Sequence, residues 1–175
     1  QMAIDRVLLG YAMVLGFGGI PLIYMGDELA LRNDDHYVQV PEHADDNRWM
    51  HRPVMPWDVV EARHDLSTDA GRMWAGLRRL IAVRRNLDSL HAAVPTRVHS
   101  TSHPAVVLFV RTHPAGDMVQ VYNVSDWNVT IPATDVHAHA HGLTFDRLSG
   151  REVHPHDGLY ALRPYTSWWL TQPDR

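Results

Sequence analysis

The chain of 175 residues is long enough for one ordinary domain or two small ones, and its 45% hydrophobic and 21% charged residues are typical of a packed globular protein, which excludes wholesale disorder, collagen and coiled coil. A formal net charge of -4 leaves no basic excess for a nucleic-acid backbone, and no apolar run reaches the ~20 residues that span a bilayer, so neither nucleic acid nor a membrane is an expected partner. The absence of cysteine excludes disulfides and thiolate metal sites and leaves the compartment open, with the cytoplasm favoured.

The first two predicted elements are a buried helix and a buried strand. Glycines at 16, 18 and 19 end the helix, and Ile20–Met25 follows as an unbroken apolar run with Pro21 near its start and Gly26 after its end. Such a run predicts a parallel strand that is covered on both faces. The helix is predicted from apolar residues at helical spacing, namely Ile4, Val7, Leu8, Tyr11, Ala12 and Leu15.

A polar segment and a second helix come next. Asp27–His64 is rich in Asp, Asn, Arg, His and Pro, which makes it too long and too polar for a simple connector, and long ordered loops often carry function. Ser67 or Thr68 can cap the helix that follows, and Arg84 and Arg85 suit its C-terminal dipole. Its predicted buried stripe consists of Met73, Leu77, Leu80, Ile81 and Leu87.

Short runs typical of β-strands replace the helical pattern after Pro95. Turn signals at 113–117, 126–128 and 149–150 separate these runs, so the second part of the chain is predicted to be a small antiparallel β-sandwich. The domain boundary is expected at this change of pattern, with residues 1–95 in one domain and 96–175 in the other. The predicted strands are 96–102, 105–112, 118–124, 128–132, 143–148, 159–163 and 166–171.

The first part of the chain does not contain enough elements to close a core of its own. A lone parallel strand needs neighbours on both edges, and one helix, one strand, a long loop and another helix do not supply them. The order fits the last helix–strand–helix unit of a (β/α)8 barrel, whose functional loops follow the carboxyl ends of the strands. The predicted architecture is therefore α/β plus all-β, with this barrel unit followed by the β-sandwich and with the rest of the barrel as an expected upstream partner.

Two adjacent carboxylates follow the predicted strand. Glycoside hydrolysis needs an acid and a nucleophile roughly 5 to 10 Å apart across the bond, and Asp27 and Glu28 do not meet that geometry. On an extended chain their side chains point to opposite faces, so one is expected to face a pocket while the other supports the loop. A hydrogen-bonding role at the end of the strand is favoured over proton transfer.

Two groups of residues raise the question of a metal site. Acids at 34, 35, 45 and 46 with histidines at 36, 43 and 51 offer hard ligands, but their spacing matches no known ligand loop, so solvated or ion-paired acids are the favoured interpretation. His137, His139 and His141 alternate and would share one face of an extended segment as an adventitious zinc or nickel site, or lie on a solvent-facing loop. We predict no metal and no cofactor.

Arginine and aromatic residues are concentrated late in the polar segment, at Arg48, Trp49, His51, Arg52 and Trp57. Guanidinium groups bind carboxylates in a fork, and aromatic faces stack on sugar rings. The alternative is a loop that is held together by its own salt bridges. Composition does not decide between these two interpretations.

Three stretches together resemble the last barrel strand and following loop of amylosucrases, which belong to the α-amylase superfamily. They are 19–28 (GIPLIYMGDE), 33–35 (NDD) and 45–53 (DDNRWMHRP). The similarity continues through 76–78 (GLR) and 81–84 (IAVR) of the second helix and reaches 164–165 (PY) and 169–170 (WL) near the C-terminus, so it covers essentially the whole chain.

The resemblance implies a sucrose-active retaining glucosyltransferase that holds a glucosyl unit on an aspartate and passes it to a growing α-1,4-glucan. The aspartate nucleophile, the glutamate acid/base and a third aspartate of such enzymes lie on earlier barrel strands, so this chain alone is expected to be inactive. Arg48 matches the arginine that pairs with an upstream aspartate at the closed end of the glucose pocket, where it is expected to be buried. Asp27, Glu28, Asp34 and Asp35 are expected to shape the rim of the pocket.

Three other functions stay open, one of which is a purely structural piece that docks to a separately encoded barrel half. A sucrose hydrolase would pass the glucosyl unit to water instead of glucan. A non-catalytic carbohydrate-binding module would stack Trp127, Trp168 and Trp169 on glucan, although adjacent tryptophans on a strand do not both face a ligand.

Overall fold

The structure is a computed structural model that describes residues 2–139 and 142–173. The chain forms two compact units. One contains the described residues of 1–21 and 79–175, and the other contains 22–78. Among the described residues, no helix combines the length and the apolar composition needed to cross a bilayer.

Helix α1 covers Met2–Phe17, as the apolar pattern predicts. Ile4, Ala12 and Leu15 of the predicted stripe are buried, whereas Val7 is exposed. The helix ends where Gly18 and Gly19 adopt positive φ angles of 120° and 66°, which side chains with a Cβ rarely accept. Arg84 donates hydrogen bonds to the carbonyl oxygens of Leu15 and Gly19 at this helix end.

The prediction of a strand over Ile20–Met25 is wrong for this chain, because the structure has no strand there. Ile20 is 94% exposed and Leu22 is 79% exposed, so the apolar run that was expected to be covered on both faces lies open. The physical reason is that a strand needs a hydrogen-bonding neighbour, and none of the eight strands among residues 2–139 and 142–173 pairs with this segment.

The unit of residues 22–78 consists of short helices joined by turns. Four 3-10 helices, Asp27–Leu29, Tyr37–Gln39, Asn47–His51 and Ala62–His64, accompany the short helix α2 at Trp57–Glu61. Helix α3 covers Asp69–Arg85, and the Thr68 hydroxyl caps it by accepting from the N–H of Gly71 at 2.9 Å. Met73, Leu77 and Leu80 are buried as predicted.

The β domain contains two antiparallel sheets, which confirms the predicted class of fold. A 3-10 helix at Asp88–Leu90 precedes it. One sheet has six strands in the order β1-β2-β3-β8-β5-β6, and the other pairs β4 with β7. The strands are β1 Arg97–Ser100, β2 Val106–Arg111, β3 Met118–Asn123, β4 Val129–Pro132, β5 Phe145–Asp146, β6 Arg151–Glu152, β7 Leu159–Leu162 and β8 Ser167–Thr171. Helix α4, Ala133–His137, and strand β6 were not predicted.

Strand β3 is buried along its whole length because both of its faces are covered. Val119 and Val121 belong to an apolar core that includes residues of β4 and β7. On the other face, Gln120 Nε2 donates to the carbonyl oxygen of Gly16 at 2.8 Å, and the Tyr122 hydroxyl lies 3.2 Å from the carbonyl oxygen of Ala12. Helix α1 is therefore held against the β domain by polar side chains of its central strand.

Tyr122 and Gln120 form a buried polar network with Trp169. The Tyr122 hydroxyl donates to Gln120 Oε1 at 2.5 Å and accepts from Trp169 Nε1 at 3.0 Å. Burial raises the pKa of Tyr122, so its hydroxyl keeps its proton and stays a donor. A Cβ at Gly16 would overlap Gln120 Oε1 and lie 2.6 Å from the Tyr122 hydroxyl, so a larger residue here would displace the side chains of this network.

Arg111, at the end of β2, is fully buried and makes five hydrogen bonds, which uses every donor of its guanidinium group. Gly18 allows this packing, because a Cβ there would lie 2.6 Å from Arg111 Nη1. Burial lowers the pKa of Arg111. The acceptors are the carbonyl oxygens of Phe17, Ser89, His91 and Val94 and the hydroxyl of Thr96.

Candidate functional site

The candidate site is the polar segment 27–64, which folds back on itself. The N–H of Asp34 donates to the carbonyl oxygen of Met50 at 2.8 Å, and a hydrogen bond of 3.2 Å joins Asn33 Oδ1 to His51 Nδ1. These two bonds bring residues 33–34 against the 3-10 helix Asn47–His51, which carries Arg48. The structure thus places Asp34 and Arg48 in one hydrogen-bonded substructure.

Arg48 forms a bidentate ion pair with Asp46. Arg48 Nε lies 2.8 Å from Asp46 Oδ1, and Arg48 Nη2 lies 2.7 Å from Asp46 Oδ2. The same carboxylate accepts the N–H of Arg48 at 3.0 Å and thereby caps the 3-10 helix. The Arg48 side chain is 70% exposed in this chain, and the burial that the resemblance implies concerns a pocket completed by an upstream aspartate. Asp46, only two residues away, meets the guanidinium at the surface.

The ion pair shifts the pKa values of both of its members. Hydrogen bonds from the Arg48 side chain and backbone lower the pKa of Asp46 to about 2, and the bond to Asp46 raises the pKa of Arg48. Both groups are therefore fully charged at neutral pH. For Arg48, the structure agrees with the interpretation of a loop held by its own salt bridges.

Asp27 and Glu28 lie on a separate 3-10 helix, Asp27–Leu29, and not on an extended strand. The N–H of Gly26 donates to Glu28 Oε2 at 2.8 Å, and Gly26 has a φ of 94°, so Glu28 braces the tight turn that begins the segment. Asp27 is half-buried beside it. These positions suit a supporting role for Glu28.

Asp34 and Asp35 differ in what they contact. Asp34 Oδ1 accepts the N–H of His36 at 2.9 Å, a local turn that leads into the 3-10 helix Tyr37–Gln39. Asp35 is exposed. Of these two carboxylates, Asp34 is fixed by the backbone and Asp35 projects from the surface.

Aromatic stacking in the segment was not predicted. The rings of His43 and Trp49 stack with centroids 3.7 Å apart and an interplanar angle of 13°. The two residues are six positions apart in a segment whose sequence has no helical or strand pattern, so nothing in the sequence indicated that their rings meet. Trp49 therefore has an intramolecular partner on one face, whereas Trp57 at the start of α2 is exposed.

The tryptophans of the β domain occupy three different environments. Trp169 is fully buried, Trp168 packs edge-on against Tyr160 with centroids 5.7 Å apart, and Trp127 is 56% exposed. The carbohydrate-binding interpretation needed several of these side chains on one surface. Among them, only Trp127 is largely exposed.

Of the three alternating histidines, the two that the structure describes have different partners. His137 bonds to the Tyr160 hydroxyl at 3.1 Å, His139 packs on His99 with ring centroids 3.9 Å apart, and His141 lies outside the described residues. The proximity of His139 contributes to a lowered pKa of His99, after the effect of burial. Within the described ranges, no three His, Asp or Glu side chains are grouped to hold a metal ion.

The Asp46–Arg48 pair gives a prediction that solution NMR can test. In Arg48→Gln, the pKa of Asp46 is expected to rise from about 2 toward its ordinary value of 3.8, because the charged hydrogen bonds from the guanidinium are lost. Arg52→Gln is the matched control, since Arg52 acts on Asp46 through charge alone and should change the pKa less. Because the folded-state pKa is depressed, the stabilisation is present above the unfolded value and is lost as pH falls from about 4 through about 2. An unchanged Asp46 titration in Arg48→Gln would refute the pairing.

The sequence of the β domain matches a known family. Residues 96–171 match the family model described as Amylosucrase, C-terminal domain. Over 166 residues, the chain is 25% identical to glucosylglycerate phosphorylase from Escherichia coli (strain K12), an alignment that covers 94% of this chain and 28% of that enzyme. The chain thus spans less than a third of this curated relative.

Solved structures with the same fold cover nearly all of the chain. An Anoxybacillus alpha-amylase superposes with a TM-score of 0.65 and 22% identity over 98% of this chain and 33% of its own length. AmyP in complex with maltose superposes with a TM-score of 0.71 and 14% identity over 96% of this chain and 34% of its own length. At these identities the comparison establishes the fold, and the chain spans about a third of each structure.

Proposed function

Because residues 96–171 form an amylosucrase-type C-terminal domain and the whole chain has a fold found in α-amylases, we propose that it is the C-terminal portion of an α-amylase superfamily enzyme. The activity we propose for the complete enzyme is that of a sucrose-active retaining α-glucosyltransferase, which transfers glucose from sucrose to an α-1,4-glucan. The match of the β domain to the amylosucrase family is the observation that carries this proposal.

The exposed apolar run Ile20–Met25 supports the proposal that further barrel units complete the fold. Ile20 and Leu22 lie open, although an apolar sequence of this kind is typical of a strand buried between parallel neighbours. In the proposed enzyme, two barrel strands pair with the edges of this segment, and the outer helices and the packed interior of the barrel cover its faces. The segment 27–64 then follows the carboxyl end of a barrel strand, where barrel enzymes place their functional loops.

Arg48 is proposed to bound the glucose pocket. Its pair with Asp46 is exposed, and exposed ion pairs contribute little to stability, so a carboxylate from a preceding barrel unit can share or replace Asp46 at low cost. A guanidinium paired there closes the pocket behind one glucosyl unit and favours a small donor such as sucrose. Asp27, Glu28, Asp34 and Asp35 are proposed to shape the rim.

The proposed reaction is a double displacement. A carboxylate nucleophile attacks the anomeric carbon of the glucosyl unit as an acid protonates the departing fructosyl oxygen. The conjugate base of that acid then takes the proton of a glucan hydroxyl, whose oxygen displaces the carboxylate with net retention. The nucleophile and the acid/base are proposed to come from the preceding barrel units. The residues of this chain bind and orient the donor, and the chain alone is expected to be inactive.

A glucoside phosphorylase is the second candidate, favoured by the alignment with glucosylglycerate phosphorylase over 94% of this chain. Inorganic phosphate would then displace the enzyme carboxylate and yield a glucose phosphate. A sucrose hydrolase is the third, with water as the acceptor. All three share the first displacement and differ in the second.

Product analysis of the enzyme that contains this chain separates the candidates. With sucrose, we expect fructose release together with α-1,4-glucan. Phosphate-dependent glucose phosphate would indicate the phosphorylase, glucose alone the hydrolase, and no fructose release would overturn the sucrose assignment. Arg48→Ala is expected to lower turnover by about 100-fold or more through a misplaced donor, whereas Arg151→Ala on exposed strand β6 should not. Sucrose turnover by the isolated 175-residue chain would contradict the expected inactivity.

A further inference from the structure

A groove of about 540 Å³ lies between α1 and the turn that joins β7 to β8. One side is formed by residues of α1, and the opposite side by residues 163–167. Its volume falls within the range of small-molecule sites, roughly 300 to 1,000 Å³. None of its lining residues belongs to the segment 27–64 that we assign to the glucose pocket.

The groove combines an apolar surface with polar side chains at its edges. Leu8, Leu9 and Leu80 contribute the apolar part, and the aromatic side chain of Tyr165 lines the opposite side. The faces of a pyranose ring carry C–H groups that pack on such surfaces, while its hydroxyls point outward to polar partners. This composition fits a saccharide better than a wholly apolar ligand.

The polar side chains of the groove have unused hydrogen-bonding capacity. In the part of the chain that the structure describes, the side chains of Asp5, Arg79, Arg163 and Tyr165 make no hydrogen bond or ion pair. A carboxylate accepts from ligand hydroxyls and guanidinium groups donate to them. Because both charge signs line one groove, a neutral ligand whose hydroxyls both donate and accept is favoured over an anion.

The backbone at Tyr165 is held in an unfavourable conformation. Its φ of 53° lies in the left-handed region, which bulky residues rarely adopt, and such residues persist where surrounding bonds over-determine them. Here the N–H of Tyr165 donates to the carbonyl oxygen of Ser125 at 3.1 Å. The buried Asn123 side chain fixes both turns, since its Nδ2 lies 2.9 Å from the carbonyl oxygens of Trp127 and Arg163. The position of Tyr165 at the groove is thus pre-organised.

We propose that this groove binds a short segment of α-glucan, with Tyr165 as the aromatic platform and with Arg163, Arg79 and Asp5 as partners of the sugar hydroxyls. That the saccharide is an α-glucan rests on the proposed function, whereas the groove and its chemistry do not. Binding there would keep a glucan chain on the enzyme by a contact that involves no covalent step.

The test is an NMR titration of the 175-residue chain with maltoheptaose. We expect saturable shifts at 163–167 and α1, and about tenfold weaker binding in Tyr165→Asn, because asparagine accepts a positive φ but lacks the ring. Trp127→Ala is the matched control, since Trp127 is an exposed aromatic on the neighbouring turn that does not line the groove. It should bind as the unmodified chain does. If Tyr165→Asn does not fold, Arg163→Gln tests the same groove by the same readout.

Each outcome decides the proposal. Absence of saturable binding, unchanged affinity in both Tyr165→Asn and Arg163→Gln, or loss of binding in Trp127→Ala would overturn it. If the enzyme that contains this chain releases no fructose from sucrose while maltoheptaose still binds here, the proposed function fails and the groove stands. If fructose is released and no maltoheptaose binds, only the groove fails.

Discussion

Arg111→Met is expected to lower the free energy of unfolding by roughly 3–5 kcal/mol, because it leaves the one buried and four part-buried acceptors of a five-bond cluster without these donors. Part of this loss is offset, because methionine removes a buried charge whose five acceptors are carbonyl oxygens and a hydroxyl, and burial of that charge carries a desolvation cost that also lowers the pKa of Arg111. The unsatisfied carbonyl oxygens outweigh this gain, because each costs about 1–3 kcal/mol when it stays dry.

Two further variants make this expectation specific. Arg111→Lys keeps the charge but has three donors at a single point, so we expect an intermediate loss. Arg151→Met changes an exposed arginine of the same domain and should alter stability by no more than about 0.5 kcal/mol. Urea unfolding measures all three. Equal stability of Arg111→Met and the unmodified chain would show that water replaces the guanidinium donors.

The same glycine-to-alanine change is expected to have opposite effects in α3 and α1. A Cβ at Gly71 would overlap the carbonyl oxygen of Asp65 and lie 2.5 Å from its carbonyl carbon, and backbone atoms there do not move as a side-chain tip does. The first turn of α3 must then shift, which also disturbs the Thr68 cap, so Gly71→Ala should cost about 2–4 kcal/mol.

Gly10 is the matched control for Gly71. It lies in the interior of α1 with no atom within 4 Å of an added Cβ, so Gly10→Ala should stabilise the chain by about 0.5–1 kcal/mol through reduced backbone entropy in the unfolded state. Thermal unfolding of both variants gives the comparison. Melting temperatures that change in the same direction would refute the steric argument at Gly71.

Local patterns predicted the β domain well and the apolar run before it badly. Strands such as β2 and β3 have partners nearby in the sequence, so the pattern and the pairing agree. The run Ile20–Met25 has an equally strong pattern, but whether it becomes a strand depends on neighbours that no described strand supplies. The apolar pattern therefore indicates that the segment needs strand neighbours and cover, but it does not indicate whether this chain contains them.

Arg111 shows a second limit of the sequence. An arginine at the end of the run Val106–Val110 resembles a solvent-facing strand terminus. Alternation places it on the same face as Phe109, the face that α1 covers, and its acceptors are mostly main-chain carbonyls. Every residue type offers such a carbonyl, so composition gave no signal. The sequence also did not indicate Asp46 as the partner of Arg48. Their pairing depends on the 3-10 helix Asn47–His51, and a spacing of two residues does not predict such a helix.

The bonds of Arg111 also bear on where this protein can be divided. The family match begins at residue 96, yet Phe17, Ser89, His91 and Val94, four of the acceptors, precede that point. A domain cut at residue 96 would keep Arg111 but would lose the four carbonyl oxygens that accept most of its hydrogen bonds. The hydrogen-bonded surroundings of Arg111 therefore extend back to the end of the first helix, beyond the residues that match the family model.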